Sequence, residues 1–543
     1  MRSGIFFMLV LFFSNFTAQA QLNIVTPAEF EKNEGVLLVW DYSPSRDSIT
    51  ANIVKAAQSV AKVWIIYYPG QAPMDTAQIR SYLYSKGVSP LNLNFIPGWT
   101  ETLWIRDYGP LTNYGTFDGN LQRYILDPGY SAYGRPKDDS IPSQLANLWG
   151  WNQSELGLEL EGGNLIFDGL KRGFGSKRIW DQNPHLSPDQ IRNILVSKFN
   201  LGDFVFLDNL NNSGGGIWKH VDMYMRMLDY ETILVSSYPE HLPDYPVIEA
   251  NVMYLGTLTN YFGEPYTIYR IPAPPKADGT WAITQNDEMR TYTNSLILNN
   301  TVIVPSYGMP EWDTMAKLTY ERLMPGYDVK MVDSQMLTIL GGAVHCITKE
   351  IPAERYLRIV HQKKTGSQSL LGSEFEINCM VHAADPIESI WLHYKRSQDT
   401  EFTKVPIWMV CPEYMGVMQG LSPGDTVNYY IQAKTYNDSV TYPMSAPQGY
   451  FTIWFDLVST PECLNDERYF SIIPNPSGGT VFLQPAFNAL IDRYEVYDLQ
   501  GRLLYQDQHI YRQRIMLDLE NGIYVMKVET DSGTQSQKLI IKR

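Results

Sequence analysis

With 43 basic against 58 acidic side chains in 543 residues, the chain carries a net charge of −15. That balance argues against a nucleic-acid or anionic-membrane partner and mildly favours a cationic one. A hydrophobic content of 44% with 13% aromatics calls for packed cores and leaves no room for a long disordered tract.

The chain opens with Arg2, the apolar run Ile5 to Phe13, and Ala18-Gln19-Ala20. A basic start, a short apolar core and a small-x-small site predict a secretory signal peptide over 1–20, cut after Ala20. The run is shorter than the roughly 20 apolar residues a bilayer span needs, and no later stretch reaches that length. From 21 to about 362, short apolar runs such as Gly35–Trp40, Val63–Tyr68, Thr232–Ser236 and Thr301–Pro305 read as strands. Helical spacing lies between them, as in Ser48–Ala57. Such alternation predicts an α/β architecture, with doubly wound sheet, barrel and propeller all open.

Four segments of this region carry chemistry beside Gly-rich or Pro-bearing turns, where site residues commonly sit. They are Trp104-Ile105-Arg106-Asp107-Tyr108-Gly109-Pro110, Glu161-Gly162-Gly163-Asn164, His220-Val221-Asp222 after the loop Ser213–Gly216, and Gly341-Gly342-Ala343-Val344-His345-Cys346. On a strand, His220 and Asp222 would share one face. Arg106 and Asp107 read as a surface ion pair or as a site. Cys346, delivered from a glycine turn, is a candidate nucleophile if it is exposed and near positive charge. The four cysteines show no CxxC or Cys/His cluster at zinc spacing, so neither metal nor cofactor is expected.

From 363 to 456, closely spaced alternating runs, such as Glu374–Val381 and Thr426–Ala433, predict an immunoglobulin-like sandwich, with Cys379 and Cys411 placed to bridge two strands. A linker at 457–467 leads to strands split by Gly turns at 468–543. The elements Pro474-Asn475-Pro476-Ser477, Asp498-Leu499-Gln500-Gly501-Arg502 and Asn521-Gly522-Ile523-Tyr524 resemble the C-terminal sorting domain of the type IX secretion pathway. That resemblance implies type IX secretion machinery as a partner, passage through the periplasm, and a secreted or cell-surface product.

Taken together, the four segments fit one reaction. Two aspartates clamp a planar guanidinium through its forked N–H donors while a thiolate attacks the central carbon. A histidine then protonates the leaving nitrogen and afterwards activates water. The order WxRDyGP, EGGN, HVD, YTNS and GGxxHC resembles the agmatine deiminase and Porphyromonas-type peptidylarginine deiminase family. The resemblance implies a five-bladed α/β propeller (pentein), with Cys346 as nucleophile, His220 as general acid/base, and Asp107 and Asp222 as guanidinium clamps. Trp104 and Asn294 would line the pocket, and Glu161, with Gly162, Gly163 and Asn164, would support it. His345 would face away in an extended segment, and no catalytic role is expected of it. The peptidyl pattern carries two arginines for a substrate carboxylate; Arg135 matches the second, and Tyr133 replaces the first.

The leading expectation is a secreted peptidyl- or protein-arginine deiminase, a hydrolase making citrulline and ammonia. The alternative is an agmatine deiminase of putrescine biosynthesis. A cysteine protease using Cys346 and His220 would leave Asp107 without a task. A non-catalytic surface binding protein would be silent toward every guanidine compound.

Overall fold

The computed structural model describes residues 24–70, 75–130, 134–210, 219–284, 287–370, 372–410, 412–456, 470–485, 491–498, 501–508, 514–530 and 533–542. The 1–20 leader, the 457–467 linker, the Ser213–Gly216 loop, Tyr133, Cys411 and Cys463 lie outside the described residues.

The first part of the chain builds five small sheets from one repeated unit. In the unit an antiparallel pair is followed by a helical crossover to a parallel strand. The second sheet joins β4 (Leu111–Phe117) to β5 (Asn120–Gly129) antiparallel and β5 to β6 (Asn152–Glu159) parallel. The third repeats this with β7 (Ile166–Phe167), β8 (Arg172–Ser176) and β9 (Asp203–Leu207). The fourth uses β10 (Met225–Met227), β11 (Thr232–Ser237) and β12 (Thr267–Pro272). The fifth uses β13 (Leu296–Leu298), β14 (Thr301–Ser306) and β15 (Asp328–Asp333).

The first sheet is assembled from both ends of this region. Here β1 (Asn33–Val39) runs parallel to β2 (Lys62–Tyr67), which runs parallel to β3 (Leu93–Pro97). Its antiparallel partner is β16 (Lys349–Pro352), contributed 310 residues after β1 ends (349 − 39).

The physical cause is burial on both faces. Val36, Leu37 and Leu38, Ile233, Leu234 and Val235, and Val302, Ile303 and Val304 are all fully buried. Continuous apolar runs of this kind suit strands covered on both sides by crossover helices. The helices carry matching signals. Pro44 opens Pro44–Ala57, and Ser187 with Gln190 closes a capping box on Pro188–Phe199.

Beyond this region the described residues hold strands without α-helices. Leu357–Val360 pairs with Glu374–Ala383, so a strand from the end of the 21–362 segment joins the following sandwich. Two sheets there enclose a core of Ile377, Leu392, Val427, Tyr429 and Ile453. Cys379 is buried in that core as a free thiol. Residues 458–543 form a separate compact unit, whose two sheets enclose Val481, Leu483, Val496, Met526 and Leu539.

Candidate active site

Each sheet is entered through a short turn, and these five turns hold the candidate site. They are the single-turn helix Ile105–Tyr108 before β4, the tight turn Gly162–Asn164 before β7, and the turn Val221–Met223 before β10. The segment 291–295 precedes β13, and the turn His345–Ile347 precedes β16. Hydrogen bonds connect them in a closed cycle that follows chain order. The Gly163 N–H donates to Asp107 Oδ1 (3.2 Å), and the Val221 N–H donates to Asn164 Oδ1 (3.1 Å). Asn294 Nδ2 donates to Asp222 Oδ2 (3.1 Å), and the His345 N–H donates to Asn294 Oδ1 (3.0 Å). Arg106 Nε donates to the His345 carbonyl (3.2 Å), which closes the circle. Residues up to 239 positions apart are thereby brought to one place.

At the centre lies Gly163. A Cβ there would stand 2.8 Å from Asp107 Oδ1, 2.9 Å from His220 Nδ1 and 3.2 Å from Asp222 Oδ2. Only a glycine lets these three side chains converge. His220 faces Asp107 through Nδ1 (3.5 Å) and Glu161 through Nε2 (2.8 Å). Glu161 is held in turn by Arg178 Nε (2.6 Å) and Gln182 Nε2 (3.0 Å). Asn164 receives the Ser176 N–H (2.9 Å) as well as that of Val221, and so fixes the segment that carries His220. Cys346 Sγ is 3.3 Å from Asn294 Nδ2, the donor, and 3.9 Å from Asp222 Oδ2. Trp104 packs over Gly342 beside Cys346: a Cβ on Gly342 would stand 2.5 Å from the Trp104 ring and 3.0 Å from the Cys346 Cβ.

Charge in this enclosed space is finely balanced. Burial lowers the His220 imidazole, but the Glu161 and Asp107 charges outweigh it and raise it to about 9. Burial raises the Glu161 carboxyl, yet the His220 charge and the hydrogen bonds from His220 and Arg178 hold it below the usual carboxylate range. Burial pushes Asp107 up to about 7 against the pull of His220, helped by the Glu161 and Asp222 charges. Burial also pushes the Cys346 thiol well up, and Asp222 and Asp107 push it further.

The site corrects several expectations. Cys346 is only 2% exposed and its charged neighbours are acidic, whereas an exposed thiol beside positive charge was expected. His220 immediately precedes a tight turn and Asp222 lies within it, not on a strand; the turn, in place of strand alternation, brings them together. Arg106 is fully buried and pairs with Glu29 (2.9 Å) and Glu350 (2.6 Å), so it forms no surface pair with Asp107. His345 lies in a tight turn, not an extended segment, and its Nδ1 is 2.7 Å from Asp222 Oδ2. Arg135 sits outside this cluster, with Nη1 3.5 Å from the Tyr130 hydroxyl. Glu29 and Arg226 are unmarked in the sequence because their partners are distant, Glu29 lying 77 residues from Arg106 and 197 from Arg226; Tyr130, five residues from Arg135, belongs to no motif that announces it. Glu29, His345 and Glu350 offer donor atoms within 4.8 Å of one another, but Arg106 pairs with both carboxylates and Arg226 with Glu29. Cations from the chain itself already occupy that position.

Comparison with known proteins agrees with this architecture. Residues 25–352 match the family model of Porphyromonas-type peptidyl-arginine deiminase, and residues 471–542 match that of the secretion system C-terminal sorting domain. An agmatine deiminase of Pseudomonas fluorescens is 25% identical over 366 residues, covering 60% of this chain and 95% of its own. The solved agmatine deiminase of Enterococcus faecalis shares the fold with a TM-score of 0.53 at 19% identity, covering 61% of this chain and 96% of its own. That of C. jejuni gives 0.50 at 22%, covering 61% and 96%. With five turns converging on a thiol, a histidine and two aspartates, and a family match over more than half its length, the chain belongs to the Porphyromonas-type peptidyl-arginine deiminase family, hydrolases of guanidino C–N bonds.

Proposed function

We propose that the protein is a secreted deiminase of arginine in peptides or proteins, and that Cys346, His220, Asp107 and Asp222 carry the reaction. One observation supports this most strongly: Asp222 Oδ1 is buried with no hydrogen-bond partner. Buried polar atoms are normally paired, and an orphaned oxygen on a carboxylate whose other oxygen lies 3.9 Å from the Cys346 thiol points to a missing ligand. A guanidinium, with five N–H donors in one plane, supplies the donor that Asp222 Oδ1 lacks.

The same ligand answers the acidity of the site. Asp107 and Asp222 disfavour a thiolate, and a cation seated between them reverses that effect. As substrate binds, the Cys346 thiol gives its proton to solvent, and Sγ, as thiolate, bonds to the guanidinium carbon. His220, protonated in the resting site, gives its proton to a terminal nitrogen as the C–N bond breaks, and ammonia leaves. Neutral His220 takes a proton from water, whose oxygen bonds to the thiouronium carbon. The C–S bond breaks and the ureido product departs.

Two features favour arginine in a peptide over agmatine. Arg135 bonds Tyr130, whose hydroxyl feels the Asp107 and Glu161 charges, and a guanidinium at the margin of the site suits a carboxylate or carbonyl better than the ammonium of agmatine. The sorting-domain match at 471–542 fits export, and a signal peptide at 1–20 would complete it. With Tyr133 in place of an arginine, strict selection of a C-terminal arginine is not expected. We read 21–362 as the catalytic part, its five sheets as propeller blades around the ring of turns, and 363–456 as an immunoglobulin-like support. The agmatine deiminases among its relatives favour the second reading, hydrolysis of agmatine to N-carbamoylputrescine. Incubation with an Arg-ending peptide, an internal-Arg peptide, free arginine and agmatine, followed by assay of ureido product and ammonia, separates the two. Turnover of agmatine alone would overturn the peptidyl reading.

A further inference from the structure

We propose that His345 is a positioning residue for deimination: it pins one oxygen of Asp222 so that the other is kept for the substrate. The inference rests on the reading of Asp222 as a guanidinium clamp. His345 is fully buried, and both ring nitrogens face carboxylates. Nδ1 lies 2.7 Å from Asp222 Oδ2, and Nε2 lies 3.0 and 3.1 Å from the two oxygens of Glu29. Asn294 Nδ2 donates to the same Oδ2 (3.1 Å), so Oδ2 is doubly held, while Oδ1 is buried and accepts nothing.

The segment that carries the ring is itself held. Its backbone N–H donates to Asn294 Oδ1 (3.0 Å), and its carbonyl accepts from Arg106 Nε (3.2 Å). Glu29 is anchored by Arg106 Nη1 (2.9 Å) and by Arg226. Arg226 is buried and also bonds the Ser295 carbonyl. The line from Asp222 through His345 to Glu29 thus ends on two fixed guanidinium groups. A histidine that only filled space would not need a carboxylate at each nitrogen. A metal-ligand role for Glu29, His345 and Glu350 is disfavoured by the two arginines already bonded there. Fixing a clamp oxygen matters because a misplacement of about 1 Å can cost a hundredfold in rate.

Side-chain replacements of different reach test this. The amide of His345→Asn stands near the position of Nδ1 and keeps the bond to Asp222; that of His345→Gln reaches toward Nε2 and keeps only Glu29. With an Arg-ending peptide, we expect His345→Asn to retain kcat within about fivefold and His345→Gln to lose about a hundredfold, with similar melting midpoints. Equal losses in the two variants, or an unchanged kcat/KM in His345→Gln, would overturn the proposal. Where His345→Ala folds poorly, the Asn/Gln pair still decides. Asp222→Asn separates the two claims. If it retains full turnover, the clamp reading fails; if it is inactive while His345→Gln is unimpaired, only the positioning role fails.

Discussion

Two buried cysteines, one in the five-sheet part and one in the sandwich that follows it, show how differently burial is used. Cys379 lies on the strand Glu374–Ala383, opposite Tyr414, inside an apolar sandwich core. Cys346 lies on a tight turn among Asn294, Asp222 and Met223. Burial raises both thiols, Cys379 to about 12, yet only Cys346 has two aspartates and an amide donor around it. Burying ionisable groups is costly unless each is paired. The sandwich core around Cys379 is built of apolar side chains, whereas the five-sheet region gathers buried carboxylates and histidines where its turns meet. A buried polar cluster with orphaned atoms therefore marks chemistry more clearly than a buried thiol does.

The largest effect should separate the two thiols outright. Cys346→Ala is expected to lower kcat/KM by at least about a thousandfold with the fold intact. Cys379→Ala should leave kcat/KM within about twofold and cost about 1 kcal/mol of stability, read from denaturant melts. Equal kinetic effects would break the comparison.

The next effect targets Gly163. Its would-be Cβ lies within 3 Å of both Asp107 Oδ1 and His220 Nδ1, so Gly163→Ala must push the clamp and the acid apart. A loss of about a hundredfold in kcat/KM is expected. An Ala variant that works normally would show that these groups need not converge.

A smaller effect concerns pH. Guanidinium binding needs ionised Asp107, so kcat/KM should fall as pH drops through about 7. Protonation of the leaving nitrogen needs charged His220, so it should fall again as pH rises through about 9. Glu161 supplies the strongest of the attractions that raise His220, and Glu161→Gln should move the alkaline limb to lower pH. A limb that stays put would assign it to another group. The smallest effect belongs to the boundary between these two parts. Lys32 pairs with Asp438, both partly exposed, and Asp438→Asn should cost under about 1 kcal/mol and leave kinetics unchanged.

Much of this could be read in the sequence, for identifiable reasons. The strands at Gly35, Val63, Thr232 and Thr301 announce themselves as apolar runs because both faces are covered. Asp107, Glu161, His220 and Cys346 are visible because each sits at a turn marked by Gly or Pro. The ring of turns is not visible, because it is made by backbone and amide bonds such as Asn164 to Val221, for which no spacing rule exists. The partners of Arg106, and the role of His345, depend on Glu29, 77 and 316 residues away respectively. A strand assignment for the His220–Asp222 pair gave the right convergence by the wrong geometry, since a tight turn also brings positions two apart together.

The central claim is that Cys346 attacks the guanidinium carbon inside this ring of turns. Rapid acid quench of the enzyme during turnover of an Arg-ending peptide, followed by proteolysis and mass spectrometry, tests it directly. The account predicts a substrate-derived thiouronium adduct on the peptide containing Cys346 and none on that containing Cys379. Steady formation of the ureido product with Cys346→Ala, or an adduct on another residue, would contradict it.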